Sequence, residues 1–424
     1  MLLKIEKILF YLFLILIPFQ IRYFFLWGGN EWNSVFLYLG DVIFAAILLL
    51  AILRKGIGFE KKDIFLLLFM VIAAISLFAT SSLGISAFRL VKLIEFVLLY
   101  IYICRNIGFI GINRVLSVIF YSGVFQSILA IAQFIKQGSI GIKFVEAGVY
   151  NPNSPGVANF VLNGEKILRS YGSFPHPNVL AGFLLMAIFC FYGLFLQREF
   201  KGNSKEIKGN LIFLVIVFGL FLTFSRTVIV VFLIGSLVMF LTQILKRMKI
   251  IKLFGLFLVS CILVIIILFP YFKARFFTVS LDEQAIDLRF FYNKMALSMI
   301  KDKPLLGIGI GNFVNYSKNY ETYLRAAGKM LEMGNQGEIK GVPDWVFQPV
   351  HNIYLLIGSE IGVFGLLAFL GFLGLILLRG LKGNSCFFFL LSCFLIIALA
   401  DHYFWTLQQG GIMFWLAFAL AKKE

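Results

Sequence analysis

The sequence predicts an all-α, polytopic integral membrane protein of about twelve transmembrane helices, with a large helical extracytoplasmic loop between spans 9 and 10. Three observations carry this. The 424-residue chain is 61% apolar and only 14% charged, far outside the composition of soluble domains. Apolar stretches long enough to cross about 30 Å of hydrocarbon recur from end to end. The cations are distributed unevenly between the connections on alternate sides.

The expected spans cover 8–26, 35–53, 63–80, 84–104, 112–135, 177–196, 209–224, 227–245, 250–271, 351–378, 385–400 and 404–421. The first is too long for a cleaved signal peptide and lacks a small-residue cleavage site, so it reads as a retained span. With the N-terminus in the cytoplasm, the inner segments LRKGIGFEKK, CRNIGFIGINR, QREFKGNSKEIK, KRMKIIK, RGLKGNS and KKE, with Lys4 and Lys7, hold twenty Lys and Arg. The short outer connections, around 27–34, 81–83, 225–226 and 401–403, hold one cation, Arg226. The formal charge of +17 is therefore a topology signal rather than a nucleic-acid footprint, and it puts both termini in the cytoplasm. The five cysteines form no CxxC or Cys/His cluster, so neither a metal centre nor a disulfide framework is expected. The whole of 1–424 reads as a single polytopic membrane domain without internal repeats.

Two outer loops are long, about 136–176 and 272–350. Loops of that length are more often functional than idle. The second opens on KARFF, which contains Arg275. It continues with DEQAIDLRFFYNKMALSMIKDKP, where Ile286, Phe290, Met295 and Met299 follow helical spacing until Pro304. A second polar helix is expected over FVNYSKNYETYLRAAGKML, and a descent through GVPDWVFQPV leads into the tenth span. The glycines of GIGIGN make a backbone turn rather than a phosphate loop, since no strand precedes them.

All three histidines, His176, His351 and His402, fall at the outer surface with Arg226. Each has a plain structural alternative: an arginine at a helix end snorkels to headgroups, and an interfacial histidine caps a helix. Together they suit a lipid-linked diphosphate, because arginine's planar fork binds phosphate oxygens and histidine supplies a base near neutral pH. Such a site transfers a group from a lipid diphosphate to a hydroxyl acceptor. In SFPHPNVLAGF, Asn178 is read as the cap of span six, and the proline-rich turn with His176 as a wall of the donor cavity. Arg89, Lys92 and Glu95 share one face of span four and either pair internally or line the cavity, as do Asp41 and Glu360. A transporter or flippase for a lipid-linked solute is the rival class. Transport sites sit near the midplane between repeated, interrupted helices, whereas the candidates here gather at one face. A purely structural membrane protein ranks third.

Four stretches in order, SYGSFPHPNVLAGFL, LTFSRTVIVVFLIG, LRFFYNKMALSMIKDKPLLGIGIGNF and VHNIYLLIGSEIGVFGLL, resemble the O-antigen ligase and O-antigen polymerase family of bacterial membrane glycosyltransferases. The resemblance covers roughly 170–378. It implies a twelve-span, metal-independent inverting enzyme without a cofactor, placed in the bacterial inner membrane with its active site on the extracytoplasmic face. The arginine of the family's S-R motif corresponds to Arg226, and the one before its PLLGxGxG turn to Arg289. Both would engage the undecaprenyl diphosphate of a glycan donor. The family's histidine corresponds to His351, beside Asn352, and would activate a sugar or other hydroxyl acceptor. Arg89, Lys92, Arg275, His176, Asn178 and Asn352 are the further candidates for binding diphosphate or glycan. Ligation in lipopolysaccharide assembly, polymerisation of repeat units and protein O-glycosylation all remain open.

Overall fold

The computed structural model describes residues 2–58, 63–197, 203–244, 250–277, 282–317, 347–383 and 386–422. Helix α1 (Leu2–Leu16) is followed by a hairpin of β1 (Arg22–Leu26) and β2 (Val35–Tyr38), paired antiparallel from Arg22 opposite Tyr38. The first expected span therefore ends ten residues early and the second starts four late, at α2 (Leu39–Leu53). Pro18 has no N–H to continue a helix, and the aromatic and β-branched run that follows favours strand pairing.

Helix α3 (Ile64–Ile75) tightens into a 3-10 turn over Ser76–Ala79, and α4 (Leu83–Ile110) meets α5 (Ile112–Lys136) at Gly111. The long connection between α5 and the next span carries a second hairpin, β3 (Asn159–Leu162) and β4 (Glu165–Leu168). Its two-residue turn is Asn163-Gly164, with both φ angles positive, the type I′ pattern that matches strand twist. The two short hairpins are the strands of a fold that is otherwise mostly helical, consistent with the all-α expectation.

Then come α6 (Pro177–Leu196), α7 (Asn203–Leu222), α8 (Arg226–Ile244), α9 (Ile250–Ile267) and α10 (Phe269–Phe277). The C-terminal part holds α11 (Asp282–Asp302), α12 (Phe313–Ser317), α13 (Ile353–Gly383), α14 (Cys386–Ile397), α15 (Tyr403–Thr406) and α16 (Gln408–Lys422). Among the described residues, five helices are long and apolar enough to cross a membrane: Ile112–Lys136, Pro177–Leu196, Arg226–Gln243, Ile250–Ile267 and Ile353–Leu381. Shorter apolar helices occupy Leu39–Leu53, Ile64–Ala79, Ile207–Leu222 and Cys386–Ile397. Outer helices such as α9 expose Val259, Ile262 and Ile266. In water such faces would be costly; in lipid they are the solvated side. The chain is a helical membrane protein.

Helix α6 is the centre, buried almost throughout and packed by α5, α7, α8, α14 and α16. Without a hydrophobic drive between helices in lipid, close approach depends on small residues. Gly123 of α5 sits where a Cβ would come within 2.5 Å of the Ala187 Cβ on α6.

Helix α11 lies against α13. Tyr292, Met295, Ala296 and Met299 form its buried face, joined by Ile308, Phe313, Val350 and Leu356. Met295 and Met299 face inward as their spacing predicts, whereas Phe290 is exposed; Tyr292 takes the inner position one turn before Met295 and Ala296. Of the second polar helix expected after the glycine turn, α12 is the first turn. The remainder, through most of the GVPDW descent, lies outside the described residues.

Helix α13 is broken at Gly362 (φ 82, ψ 176). The glycine turn is inserted into the break: Ile308 N–H donates to Ser359 O at 2.9 Å, Gly309 N–H to Glu360 O at 2.9 Å, and Val363 N–H to Pro304 O at 2.8 Å. Backbone groups released by a kink in a membrane must find partners within the protein. The inserted glycine turn supplies them, and in doing so fixes the backbone of Glu360.

Candidate functional site

The segment leading into α6 is held by amides projecting from α5. Gln133 Oε1 accepts from Tyr171 N–H and Gly172 N–H, and Gln126 Oε1 from Ser173 N–H. At its end His176 is the N-cap of α6, its Nδ1 accepting from Asn178 N–H at 3.1 Å. This corrects the reading of Asn178 as the cap, and the cap occupies the ring nitrogen of His176.

Asn178 has another task. Arg169 Nη2 donates to its Oδ1 at 2.7 Å, while its Nδ2 donates to Asp401 Oδ2 at 2.8 Å. Arg169 Nε donates to Thr223 O at 2.9 Å, and Ser170 N–H to Leu222 O at 3.1 Å. The tight turn through Phe224, with φ of 47°, leads straight into Arg226 at the start of α8. Burial, then the neighbouring Arg275 guanidinium, pulls Arg169 down to about 9, with Arg226 adding to the shift. Arg169, Arg226 and Arg275 thus form one cationic group. Desolvating and crowding guanidiniums is costly, and a phosphate or diphosphate would relieve it.

Beside this group all three histidines of the chain come together. The rings of His351 and His402 lie 4.8 Å apart, edge to face, and His176 and Arg289 are near enough to act electrostatically on His402. Asp401 lies among them, with Oδ1 accepting from His402 N–H at 2.8 Å. Burial opposes its ionisation, but the histidines and Asn178 outweigh this and hold its pKa below the usual carboxylate range. His402 Nδ1 is 2.7 Å from Thr406 Oγ1, which itself donates to His402 O at 3.1 Å. Thr406 has one hydroxyl proton, so Nδ1 carries the ring proton and Nε2 is left as acceptor. Burial lowers His402 and His176 to about 3, so both are neutral at pH 7.

His351 is held by Tyr292 of α11, with ring centroids 6.1 Å apart. Tyr292 is three residues beyond Arg289 on that helix. Burial lowers the His351 pKa, Asp401 opposes the shift and Arg289 adds to it. Its Nδ1 is buried without a hydrogen-bond partner among the described residues. Asn352, not His351, caps α13: its Oδ1 accepts from Leu355 N–H at 3.1 Å. The capping explanation for His351 therefore falls to its neighbour.

Arg89 and Lys92 sit apart from the arginine group. Arg89 donates to Thr406 O, Glu31 O and Trp32 O at 3.1–3.2 Å. Lys92 forms ion pairs with Asp41 and with Glu95, and Gln408 Nε2 donates to Asp41 Oδ1 at 2.6 Å. Lys92 is thus paired internally while Arg89 is bonded to backbone carbonyls, and both line a recess with Glu360 and Trp405. Among the described residues no group of three His, Cys, Asp or Glu is arranged to hold a metal ion.

Arg169, Asp401 and Trp32 are the residues that sequence reasoning missed, and His402 went without a role. The usable signal was the placement of all three histidines on outer connections, one of them directly after an aspartate.

No curated protein matches the chain. Residues 211–370 match the family model described as O-antigen ligase. That stretch contains Arg226, Arg289 and His351, while Arg169, His176, Asp401 and His402 lie outside it. Over this stretch of 160 of the 424 residues the chain is similar to the O-antigen ligase family.

Proposed function

We propose that the protein transfers a glycan from an undecaprenyl-diphosphate-linked donor to a hydroxyl acceptor at the extracytoplasmic face of the bacterial inner membrane, crossing it about twelve times with both termini inside. The observation that carries this reading is the meeting of the three histidines and Arg289 with the Arg169, Arg226 and Arg275 group.

In this reading Arg226 and Arg289, with Arg275 beside them, bind the diphosphate oxygens. His351 is kept neutral by burial and accepts the proton of the acceptor hydroxyl. The acceptor oxygen forms its bond to the anomeric carbon as the bond to the diphosphate oxygen breaks, with inversion. The arginines stabilise the charge that develops on the leaving group, and the proton passes from His351 to water. No metal enters the step. Ligation, polymerisation and protein glycosylation would share this donor half and differ in acceptor.

The test is a purified-protein assay that follows donor binding and transfer separately. His351→Ala should bind the lipid donor and lose about 10² to 10⁴ in rate, the usual contribution of a general base. Arg226→Ala and Arg289→Ala should each lose roughly 2 to 4 kcal/mol of transition-state stabilisation, with lysine rescuing poorly because it lacks the fork. Near-normal transfer by His351→Asn would make His351 structural and send the search for the base elsewhere.

A further inference from the structure

The interior around the start of α2 carries more negative than positive charge. Lys92 lies between the carboxylates of Asp41 and Glu95, with an ion pair to each. Arg22 is paired with Glu31, and Arg89 shares a wall with Glu31 and Glu360. Among the described residues, three cations therefore stand against four carboxylates. Asp41, Lys92 and Glu360 are each no more than 8% exposed. A net charge buried at this depth is costly unless something neutralises it.

A separate feature lies beside this charge. Gln408 donates through Nε2 to Asp41 Oδ1 at 2.6 Å and, over a longer 3.4 Å, to Glu95 Oε1. Two carboxylate acceptors fix the orientation of the amide, which leaves its Oε1 buried with no donor among the described residues. The next residue, Gln409, is 1% exposed, and its Oε1 is likewise without a donor there. Both side chains, with Tyr38, line a cavity of about 20 Å³ between α1, α2 and α16, room for one water-sized body. Tyr38 N–H donates to Asp41 Oδ2 at 2.9 Å, so the cavity and the carboxylate pair are immediate neighbours. A water molecule would serve the two amide oxygens and leave the charge uncompensated. An anion would add to it. A divalent ion calls for carboxylate ligands, and neither Asp41 nor Glu95 is in the lining. A singly charged hard cation answers both features, since amide carbonyls can replace its hydration shell.

We propose that this cavity is a sodium site, the cation being held by Gln408 Oε1 and Gln409 Oε1 in the field of Asp41 and Glu95. The ion offsets the fourth carboxylate. It also ties α1 and α2 to the start of α16, two residues after Thr406, whose hydroxyl contacts the His402 ring. The inference is independent of the transfer reaction proposed above.

Thermal unfolding of the full-length protein in detergent at neutral pH tests the site, with sodium chloride titrated against choline chloride and potassium chloride at constant ionic strength so that screening is the same throughout. Sodium should raise the Tm saturably, as a ligand of the folded state does; choline should not, and the larger potassium ion should do so less than sodium. Glu95→Gln keeps the shape of the side chain and removes the surplus charge, so it should abolish the sodium response and melt in choline at or above the wild-type temperature. Gln409→Leu removes one amide oxygen and keeps the charge, and should raise the half-saturating sodium concentration about tenfold, the effect of losing one good polar contact. Equal Tm values in sodium and choline overturn the inference and leave a water cavity. An effect of potassium equal to or larger than that of sodium overturns the choice of ion. A sodium response unchanged in Glu95→Gln puts the cation elsewhere on the protein, and because that variant is nearly isosteric it decides the matter even where Gln409→Leu fails to fold.

Discussion

Replacing Gly362 with alanine should inactivate the protein through its fold, although the added methyl group is far smaller than most tolerated changes. The residue has φ 82° and ψ 176°, a region open almost only to glycine, and occupying it costs a non-glycine residue roughly 1 to 3 kcal/mol. A Cβ there would also lie 2.1 Å from Leu305 O and 2.9 Å from Gly307 N. Both are backbone atoms and neither can swing aside. The strain is relieved only by straightening α13, which ejects the inserted turn and breaks the bonds from Ile308 N–H, Gly309 N–H and Val363 N–H. Unsatisfied buried groups cost about 1 to 3 kcal/mol each, so three lost bonds cost about 3 to 9 kcal/mol, a range centred above the roughly 4 to 5 kcal/mol that marks an exceptional substitution. Gly374→Ala in the same helix is the control, since nothing lies within 4 Å of its added Cβ and a helix-interior glycine gains up to about 1 kcal/mol on becoming alanine. Thermal unfolding in detergent, followed by size-exclusion monodispersity, compares the two. A Gly362→Ala protein that melts with the wild type would refute the inserted-turn account of the break.

Asp401 raises and Arg289 lowers the His351 pKa, so if neutral His351 is the base, Asp401→Asn should move the acid limb of the kcat/KM profile to lower pH and Arg289→Gln should move it to higher pH. His176 and His402 are held near 3 from an ordinary value of 6.5; the unfolded chain therefore binds more protons below 6.5, and thermal stability should fall as pH drops from about 6.5 toward 3. Lys92→Met leaves Asp41 and Glu95 without their cation and should cost about 3 to 5 kcal/mol, read as lost monodisperse yield, with a normal yield refuting a structural role for the pair. A cysteine at Lys143 should react with an impermeant thiol reagent in intact cells and one at Lys208 should not; the reverse pattern inverts the topology.

Apolar runs were enough to anticipate where the long apolar helices lie, because hydropathy is a property of windows rather than of single residues. The hairpin at Arg22–Tyr38 was hidden for the same reason: its aromatic strands are as hydrophobic as a span, and only Pro18 marks the change of period. At the site, Arg226, Arg289 and His351 could be named from motif order. Arg169 and Asp401 could not, since an arginine in a polar loop and an aspartate after a helix both have ordinary surface roles, and their partnership joins residues 232 positions apart in sequence.

Asn178 shows why residue type there is a matter of polarity and not of capping. Its amide must accept from Arg169 on one side and donate to Asp401 on the other. Among similar side chains only an amide does both. Aspartate would set two carboxylates together in a buried site, and leucine would leave a desolvated guanidinium and a desolvated carboxylate each short of a partner. A flipped amide loses both bonds at once, so one orientation is fixed. Through it the turn carrying Arg226, which Arg169 holds by Thr223 O, is tied to the connection carrying His402. The cationic group and the histidine group are thereby set in one rigid relation, which the proposed transfer between a membrane-held donor and a water-borne acceptor would require: the leaving group and the attacking oxygen would have to be positioned together to within a fraction of an ångström.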